Sequence, residues 1–116
     1  MRDPGRVLND AAATFTPYTL PDGRQAGEIA LIRQRNTDNE PLFVGLYRCA
    51  EAVDGTELPY EHNESFIVLE GEASITLSDG VERQMRPGDM VTIAKGEVAS
   101  VFWQSASFRK FFVLSD

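Results

Sequence analysis

Three glutamates surround the only histidine of this 116-residue chain: His62 lies among Glu57, Glu61 and Glu64. Divalent cations bind carboxylates and imidazoles, and a histidine titrates near neutral pH. Glu57, His62 and Glu64 could therefore hold a metal ion, or His62 could act as a general acid or base. The alternative is that these side chains face water around a loop between two strands. We favour this second interpretation, because alternating carboxylates also suit an exposed strand face.

Glu64 stands apart from the other acidic residues because an apolar run, Phe66–Leu69, follows it. A strand that is apolar on both faces is typically buried on both faces. Glu64, at the start of such a strand, is therefore expected to lie in the interior. A buried carboxylate needs hydrogen-bond partners or takes up a proton. Glu64 would then either anchor the hydroxyl or amine of a ligand, or be a structural acid bonded to Tyr60 or to backbone N–H groups. The sequence leaves both roles open.

The composition excludes several classes of function. Acidic residues outnumber basic ones by 18 to 11, and the net charge of −7 disfavours a nucleic-acid partner. No apolar stretch is long enough for a membrane span or a signal peptide. A single cysteine, Cys49, permits no intrachain disulfide and is expected to be a buried, inert thiol. We therefore expect a cytoplasmic protein that binds neither nucleic acid nor membrane.

Short apolar runs separated by turn signals dominate the chain after Gly27, and no window shows a convincing helical period. This pattern predicts an all-β fold, a sandwich or an antiparallel barrel. Residues 1–24 are predicted to form an N-terminal arm packed on the body, and residues 25–116 a single domain. The predicted strands are Glu28–Arg33, Leu42–Cys49, Glu64–Glu70, Ala73–Ser78, Val81–Met85, Met90–Ala94, Glu97–Gln104 and Phe108–Leu114.

Two turns can be predicted in detail. The segment Arg86-Pro87-Gly88-Asp89 fits a type II turn, since proline presets φ at the second position and glycine supplies the positive φ needed at the third. Asp79-Gly80 indicates a hairpin. A two-residue loop would place Ile75 opposite Gln84, and a three-residue loop would place it opposite Met85. The second register pairs apolar with apolar, so it is the one that we predict.

Four segments resemble a known family. The sequence Glu64–Gly71, with its Val-Leu-Glu-Gly ending, is similar to the second half of the first cupin motif. The glycines of Gly88–Gly96 match the spacing of the second motif. Tyr60–Glu64, together with Trp103 and the later run 109–112 (Arg-Lys-Phe-Phe), resembles the small single-domain cupins grouped with ureidoglycine aminohydrolase and ethanolamine-utilisation protein Q. This resemblance implies a cupin antiparallel β-barrel, also described as a double-stranded β-helix or jelly roll.

The resemblance also implies a degenerate metal site. The motif positions that carry metal-binding histidines in cupins are here Leu58, Tyr60 and Ala99, and Trp103 replaces an asparagine. Leucine has no donor atom, and a phenol is a poor ligand near neutral pH. Only Glu64 remains of the four ligands, and one carboxylate does not hold a transition metal tightly. No cofactor is therefore favoured, and a divalent metal is the secondary possibility.

The leading hypothesis is a module that binds a small polar molecule in the mouth of the barrel. By resemblance, the residues that face the ligand would be Tyr60, Glu64 and Trp103, over an apolar floor of Leu58, Ala99 and Val101. One rival is a metal-dependent hydrolase or isomerase that resembles ureidoglycine aminohydrolase and uses Glu57, His62 and Glu64. The other is a structural homodimer with a packed barrel. A homodimer is expected in any case, because alternation places Val98 and Phe102 on an apolar outer face.

Overall fold

The computed structural model describes residues 9–20, 22–35, 42–49, 57–103 and 107–115, apart from the side chains of Asp10, Arg35, Phe102 and Trp103. This part of the chain contains ten β-strands and one short 3-10 helix, and it has no helix long and apolar enough to cross a membrane. The strands are β1 (Thr16–Thr19), β2 (Gln25–Arg35), β3 (Leu42–Cys49), β4 (Glu57–Pro59), β5 (Asn63–Glu70), β6 (Ala73–Thr76), β7 (Glu82–Met85), β8 (Met90–Ile93), β9 (Val98–Trp103) and β10 (Phe108–Ser115).

The strands form two antiparallel sheets around one core. The larger sheet has six strands in the order β1-β2-β3-β10-β5-β8, and the smaller has four in the order β4-β9-β6-β7. Both sheets contribute to one buried apolar cluster, in which Val68, Ile93 and Phe108 are almost fully buried. Strands distant in sequence lie side by side, as β10 does between β3 and β5. The predicted all-β architecture, a barrel of antiparallel strands, is confirmed.

Two short edge strands, β1 and β4, were not predicted from the sequence pattern. Each contains a proline, Pro17 or Pro59, and each lies at the edge of its sheet. Proline has no N–H to donate to a ladder, so it is tolerated at an edge and weakens the sequence signal of a strand. β4 matters for function, because it leads directly into the segment that contains Tyr60, Glu61 and His62.

The described part of the predicted arm belongs to the larger sheet, because it supplies the edge strand β1. Asn9 caps the short helix Asp10–Ala12 by accepting a hydrogen bond from the Ala12 N–H at 2.9 Å. Leu20 is buried, and the ring of Tyr18 meets that of Tyr47 edge-on at 6.1 Å. The arm is therefore attached through β1 and through aromatic contacts, and its boundary at residue 24 stays a prediction.

One predicted turn is confirmed and one register is wrong. Gly88 has a φ of 94°, and the Asp89 N–H donates to the Arg86 carbonyl at 2.9 Å, as a type II turn requires. In the other hairpin, Ile75 lies opposite Arg83 rather than Met85.

The physical reason for the different register is the chemistry of the turn. Asp79 accepts a hydrogen bond from the Val81 N–H at 3.0 Å and also binds the Arg83 guanidinium, while the Gly80 N–H donates to the Leu77 carbonyl. These contacts fix the turn one residue earlier than predicted. The partner of Ile75 therefore changes by two residues, from Met85 to Arg83. A change of two residues keeps each side chain on its face of the sheet, so Ile75 stays buried and Met85 lies opposite the small Ala73.

Candidate functional site

A cavity of about 500 Å³ lies between the two sheets. Its walls are largely apolar, and both sheets contribute to them. The six-stranded sheet supplies Ile29, Leu31, Phe43, Phe66, Phe112 and Leu114, and the four-stranded sheet supplies Leu58, Ile75, Met85 and Val101. Glu64, Lys110 and Tyr60 add polar groups to this lining, together with Tyr18 and the pair Glu61-His62. The cavity therefore combines a large apolar volume with a few polar groups.

The pairing of β5 with β10 brings a carboxylate and an ammonium group to the same wall. In this ladder Glu64 lies opposite Leu114, and Phe66 lies opposite Phe112. Side chains alternate between the faces of a strand, so Glu64, Phe66 and Lys110 all point to the buried face. The long side chain of Lys110 extends past Phe66, with its Nζ atom 4.2 Å from the centre of that ring, and reaches Glu64.

Glu64 and Lys110 form a largely buried ion pair. The Nζ–Oε2 distance is 2.6 Å, and the side chains are only 11% and 15% exposed, respectively. Burying two charges is costly unless their geometry is good and other partners help to satisfy them. The ring faces of Phe66 and Tyr47, the latter 5.5 Å from Nζ, provide further attraction for the ammonium. The two charges thus lie in the cavity wall, and the net charge of the pair is zero.

Two tyrosine hydroxyls lie near the ion pair. Burial, and then the negative charge of Glu64, raise the pKa of Tyr18 and of Tyr60 above the ordinary tyrosine range. Both hydroxyls therefore stay neutral and can donate hydrogen bonds. Within the described residues, neither hydroxyl has a hydrogen-bond partner, and no side-chain polar atom is both fully buried and unpaired. These two hydroxyls therefore remain accessible to a ligand in the cavity.

The backbone fixes Tyr60 at the crossing between the two sheets. Its N–H donates to the Glu97 carbonyl at 2.9 Å, and its own carbonyl accepts from the Gly96 N–H at the same distance. Tyr47 is held differently, because its hydroxyl donates to the Ala26 carbonyl at 2.7 Å. Tyr47 is thus a wall residue whose hydroxyl is already used, whereas Tyr60 presents an available one.

The structure brings together four of the six residues expected at the ligand site. Tyr60, Glu64, Leu58 and Val101 all line the cavity. Ala99 is buried opposite Leu58 in the β4–β9 ladder, and it is not among the described lining residues. The backbone of Trp103 ends β9, and its side chain lies outside the described part of the chain.

The donor set does not fit a cupin metal centre. Glu57 is exposed on β4, opposite Ser100, while His62 lies at the cavity with its ring 5.9 Å from that of Phe43. No three His, Cys, Asp or Glu side chains of the described residues are grouped so that they could hold a metal. Glu64, the one matching motif ligand, is already bound by Lys110. The set Glu57, His62 and Glu64 is therefore not brought together.

Lys110 is the charged residue of the cavity lining that the sequence interpretation missed. It was noted only as part of an Arg-Lys pair. The signal was nevertheless present, because Phe108, Lys110, Phe112 and Leu114 share one strand face and the lysine is the only charged member. A charge within a buried apolar face predicts a buried partner of opposite sign. That reasoning would have linked Lys110 to Glu64.

Comparison with solved structures supports the fold. A protein of unknown function from Rhizobium leguminosarum is 20% identical, with a TM-score of 0.71 over 97% of both chains. An RmlC-like cupin from Shewanella frigidimarina is 15% identical, with a TM-score of 0.68 over 99% of this chain and 94% of that one. KdgF from a Halomonas species is 14% identical, with a TM-score of 0.70 over 96% and 94%. No protein of curated function matches the chain.

The sequence itself identifies the family. The family described as the EutQ-like cupin domain matches residues 51–112, which is more than half of the chain. The matched region runs from before β4 into β10 and includes both Glu64 and Lys110. Together with the two-sheet antiparallel barrel, this match means that the chain belongs to the EutQ-like cupin domain family.

Proposed function

We propose that this cupin binds a small molecule inside its barrel and does so without a resident metal. The observation that carries the proposal is the cavity of about 500 Å³, with the Glu64–Lys110 pair in its wall. Small-molecule sites are typically cavities of about 300–1,000 Å³ in which apolar walls surround a few polar groups. The hydroxyls of Tyr18 and Tyr60 add two hydrogen-bond donors to this one.

The side chains at the family's metal positions support independence from metal. Leu58, Tyr60 and Ala99 offer no nitrogen, thiolate or carboxylate donor, and the carboxylate of Glu64 is bonded to Lys110. We therefore interpret the site as a degenerate metal centre. The rival hydrolase or isomerase would need Glu57 beside Glu64, and Glu57 is exposed on β4.

The cavity also argues against the alternative of a packed, inert barrel. A structural barrel of this size is expected to fill its interior with side chains. The homodimer remains a proposal, supported by the exposed Val98 on the outer face of β9, and the cytoplasmic location remains a prediction. Light scattering at about 10 µM, a working concentration for a moderately tight pair, tests the dimer, and a monomeric mass would count against it.

A cavity-filling substitution tests whether the barrel is the binding site. Leu31 is half-buried and lines the cavity, so Leu31→Trp adds bulk inside the cavity. The matched control is Leu69→Trp, because Leu69 is 44% exposed. Metabolites that bind the parent, detected by ligand-observed NMR, should bind Leu31→Trp at least about tenfold more weakly, which corresponds to about 1.4 kcal/mol. Hits that bind Leu31→Trp and Leu69→Trp equally would place the binding site elsewhere.

Elemental analysis tests the independence from metal. Protein purified without a metal-chelating tag should contain well below one transition-metal ion per chain. Treatment with EDTA should leave the affinity for any hit unchanged. A metal content near one ion per chain that survives EDTA would overturn this part of the proposal, as would loss of ligand binding on chelation.

A further inference from the structure

We infer that the ligand's polar group is neutral and carries a hydrogen-bond donor beside an acceptor, as a primary carboxamide does. This inference rests on the proposed function, because it concerns the ligand of the same cavity. It follows from the fact that the charged wall of the cavity presents an ion pair rather than a single charge.

The ion pair offers one acceptor and one donor side by side. The Lys110 ammonium has three N–H bonds, and one of them is donated to Oε2 of Glu64 at 2.6 Å. No other hydrogen bond to this carboxylate occurs among the described residues, so Oε1 of Glu64 can still accept. A primary amide has its N–H and C=O on one carbon atom. It can therefore donate to Glu64 and accept from Lys110 at the same time.

An ionic ligand group fits this wall poorly. A ligand carboxylate drawn to Lys110 would lie beside the carboxylate of Glu64, and a ligand ammonium drawn to Glu64 would lie beside Lys110. Each ion would be attracted by one partner and repelled by the other at a similar distance, so little net attraction remains. The ion would also lose its hydration among apolar walls, which is far more costly than the desolvation of an amide.

The remaining surfaces of the cavity suit the same kind of molecule. The hydroxyls of Tyr18 and Tyr60 are hydrogen-bond donors that can serve a neutral carbonyl oxygen. Apart from the ion pair, the two tyrosines and the pair Glu61-His62, the cavity is lined by apolar residues such as Ile29, Leu31 and Phe43. An apolar body attached to the amide would be buried against these side chains. The ligand class is therefore an amide, or a similar neutral donor–acceptor group, with a hydrocarbon body.

Three probes with one hydrocarbon body test the inference: hexanamide, hexanoate and hexylamine. At neutral pH they are neutral, anionic and cationic, respectively. Isothermal titration calorimetry of the full chain should give hexanamide the lowest Kd, by about tenfold over each ion, because hydrogen bonds to charged partners are strong in a desolvated site. A Kd for hexanoate or hexylamine equal to or below that of hexanamide would overturn the inference.

Two substitutions should reverse the preference in opposite directions. Glu64→Gln removes the negative charge and keeps the size, so hexanoate should become the tightest of the three probes. Lys110→Met removes the positive charge, so hexylamine should become the tightest. An unchanged order in a folded variant, checked by circular dichroism, would contradict the inference. If neither variant folds, the order measured with the unmodified protein decides.

The design also separates this inference from the proposed function. If all three probes bind with equal affinity, and Leu31→Trp weakens all of them, the cavity binds small molecules but does not select the neutral group. If none of the three binds the parent up to its solubility limit, the inference fails, and the proposed function is decided separately by the metabolite screen with Leu31→Trp and Leu69→Trp.

Discussion

The two walls of the cavity differ in chemistry. The six-stranded sheet contributes the charged pair Glu64 and Lys110, while the four-stranded sheet contributes Leu58, Ile75, Met85 and Val101, which are all apolar. This difference suggests that the two walls have different tasks. Under the proposed function, only the six-stranded wall would recognise the polar group of a ligand, whereas the apolar residues of both walls would set the space for its hydrocarbon body.

Two ion pairs, one in each sheet, differ in burial. Lys110 and Glu64 pair at 2.6 Å within the six-stranded sheet and are largely buried. Arg83 and Asp79 pair at 2.7 Å in the β6–β7 hairpin of the other sheet, where both side chains are about half exposed. The distances are nearly equal, and the pairs differ in burial, in sequence separation and in the cation, so the comparison tests burial together with these two differences.

The largest expected effect is the loss of stability on removing the buried cation. Lys110→Met leaves the carboxylate of Glu64 without its partner in an apolar wall, and this should lower the free energy of unfolding by about 3–5 kcal/mol. The matched control, Arg83→Met, should cost far less, because solvent replaces the lost partner. Urea denaturation of both variants measures the two losses.

A double substitution sharpens this prediction. Glu64→Gln combined with Lys110→Met removes both charges and should recover part of the stability lost in Lys110→Met alone. Equal losses in Lys110→Met and Arg83→Met would mean that the buried pair is solvated like the exposed one. The distinction between the buried pair and the exposed pair would then fail.

A smaller effect is expected from the apolar wall. Ile75 is 2% exposed, and Ile75→Val removes one buried methylene group, which should cost about 1 kcal/mol. The control Ile67→Val, on the outer face of β5, should cost less because Ile67 is only partly buried. Denaturation measures the losses, and calorimetry should find the order of the three probes unchanged in Ile75→Val. A changed order would show that the four-stranded sheet also influences which polar group of a probe is preferred.

Much of the fold could be predicted because turn chemistry and alternation are local signals. Proline and glycine in Arg86–Asp89 specify their turn, and eight of the ten strands coincide with apolar runs. The strands that were missed, β1 and β4, are held by their neighbours in the sheet and have no strong pattern of their own. The register of the β6–β7 hairpin was missed because side-chain bonds of Asp79 decided it, and apolar matching did not.

The site was less predictable than the fold because it depends on contacts distant in sequence. The apolar run after Glu64 predicted that this residue is buried, and in the structure the whole residue is 8% exposed. Its partner is 46 residues away, on a strand that is adjacent only through the jelly-roll strand order. Residue types also did not show that the barrel keeps an open cavity, since apolar side chains suit a packed interior equally well.

The smallest effect at neutral pH concerns Tyr60, which lies where the chain crosses from β4 to β5 and so joins the two walls. Burial and the charge of Glu64 raise its pKa above the ordinary value near 10. Below about pH 10 the tyrosine is protonated in both the folded and the unfolded chain, so it causes no pH dependence there. Above that pH the unfolded chain loses the proton first, and the free energy of unfolding falls by up to about 1.4 kcal/mol per pH unit for this residue.

Tyr60→Phe removes this pH dependence, so its free energy of unfolding should fall less steeply than that of the parent when urea denaturation is repeated between about pH 9 and 11. At neutral pH the variant should be almost as stable as the parent, since the hydroxyl has no hydrogen bond within the described residues. Parallel curves for parent and variant would mean that Tyr60 ionises as easily in the folded protein as in the unfolded chain, and that this end of the cavity is open to water.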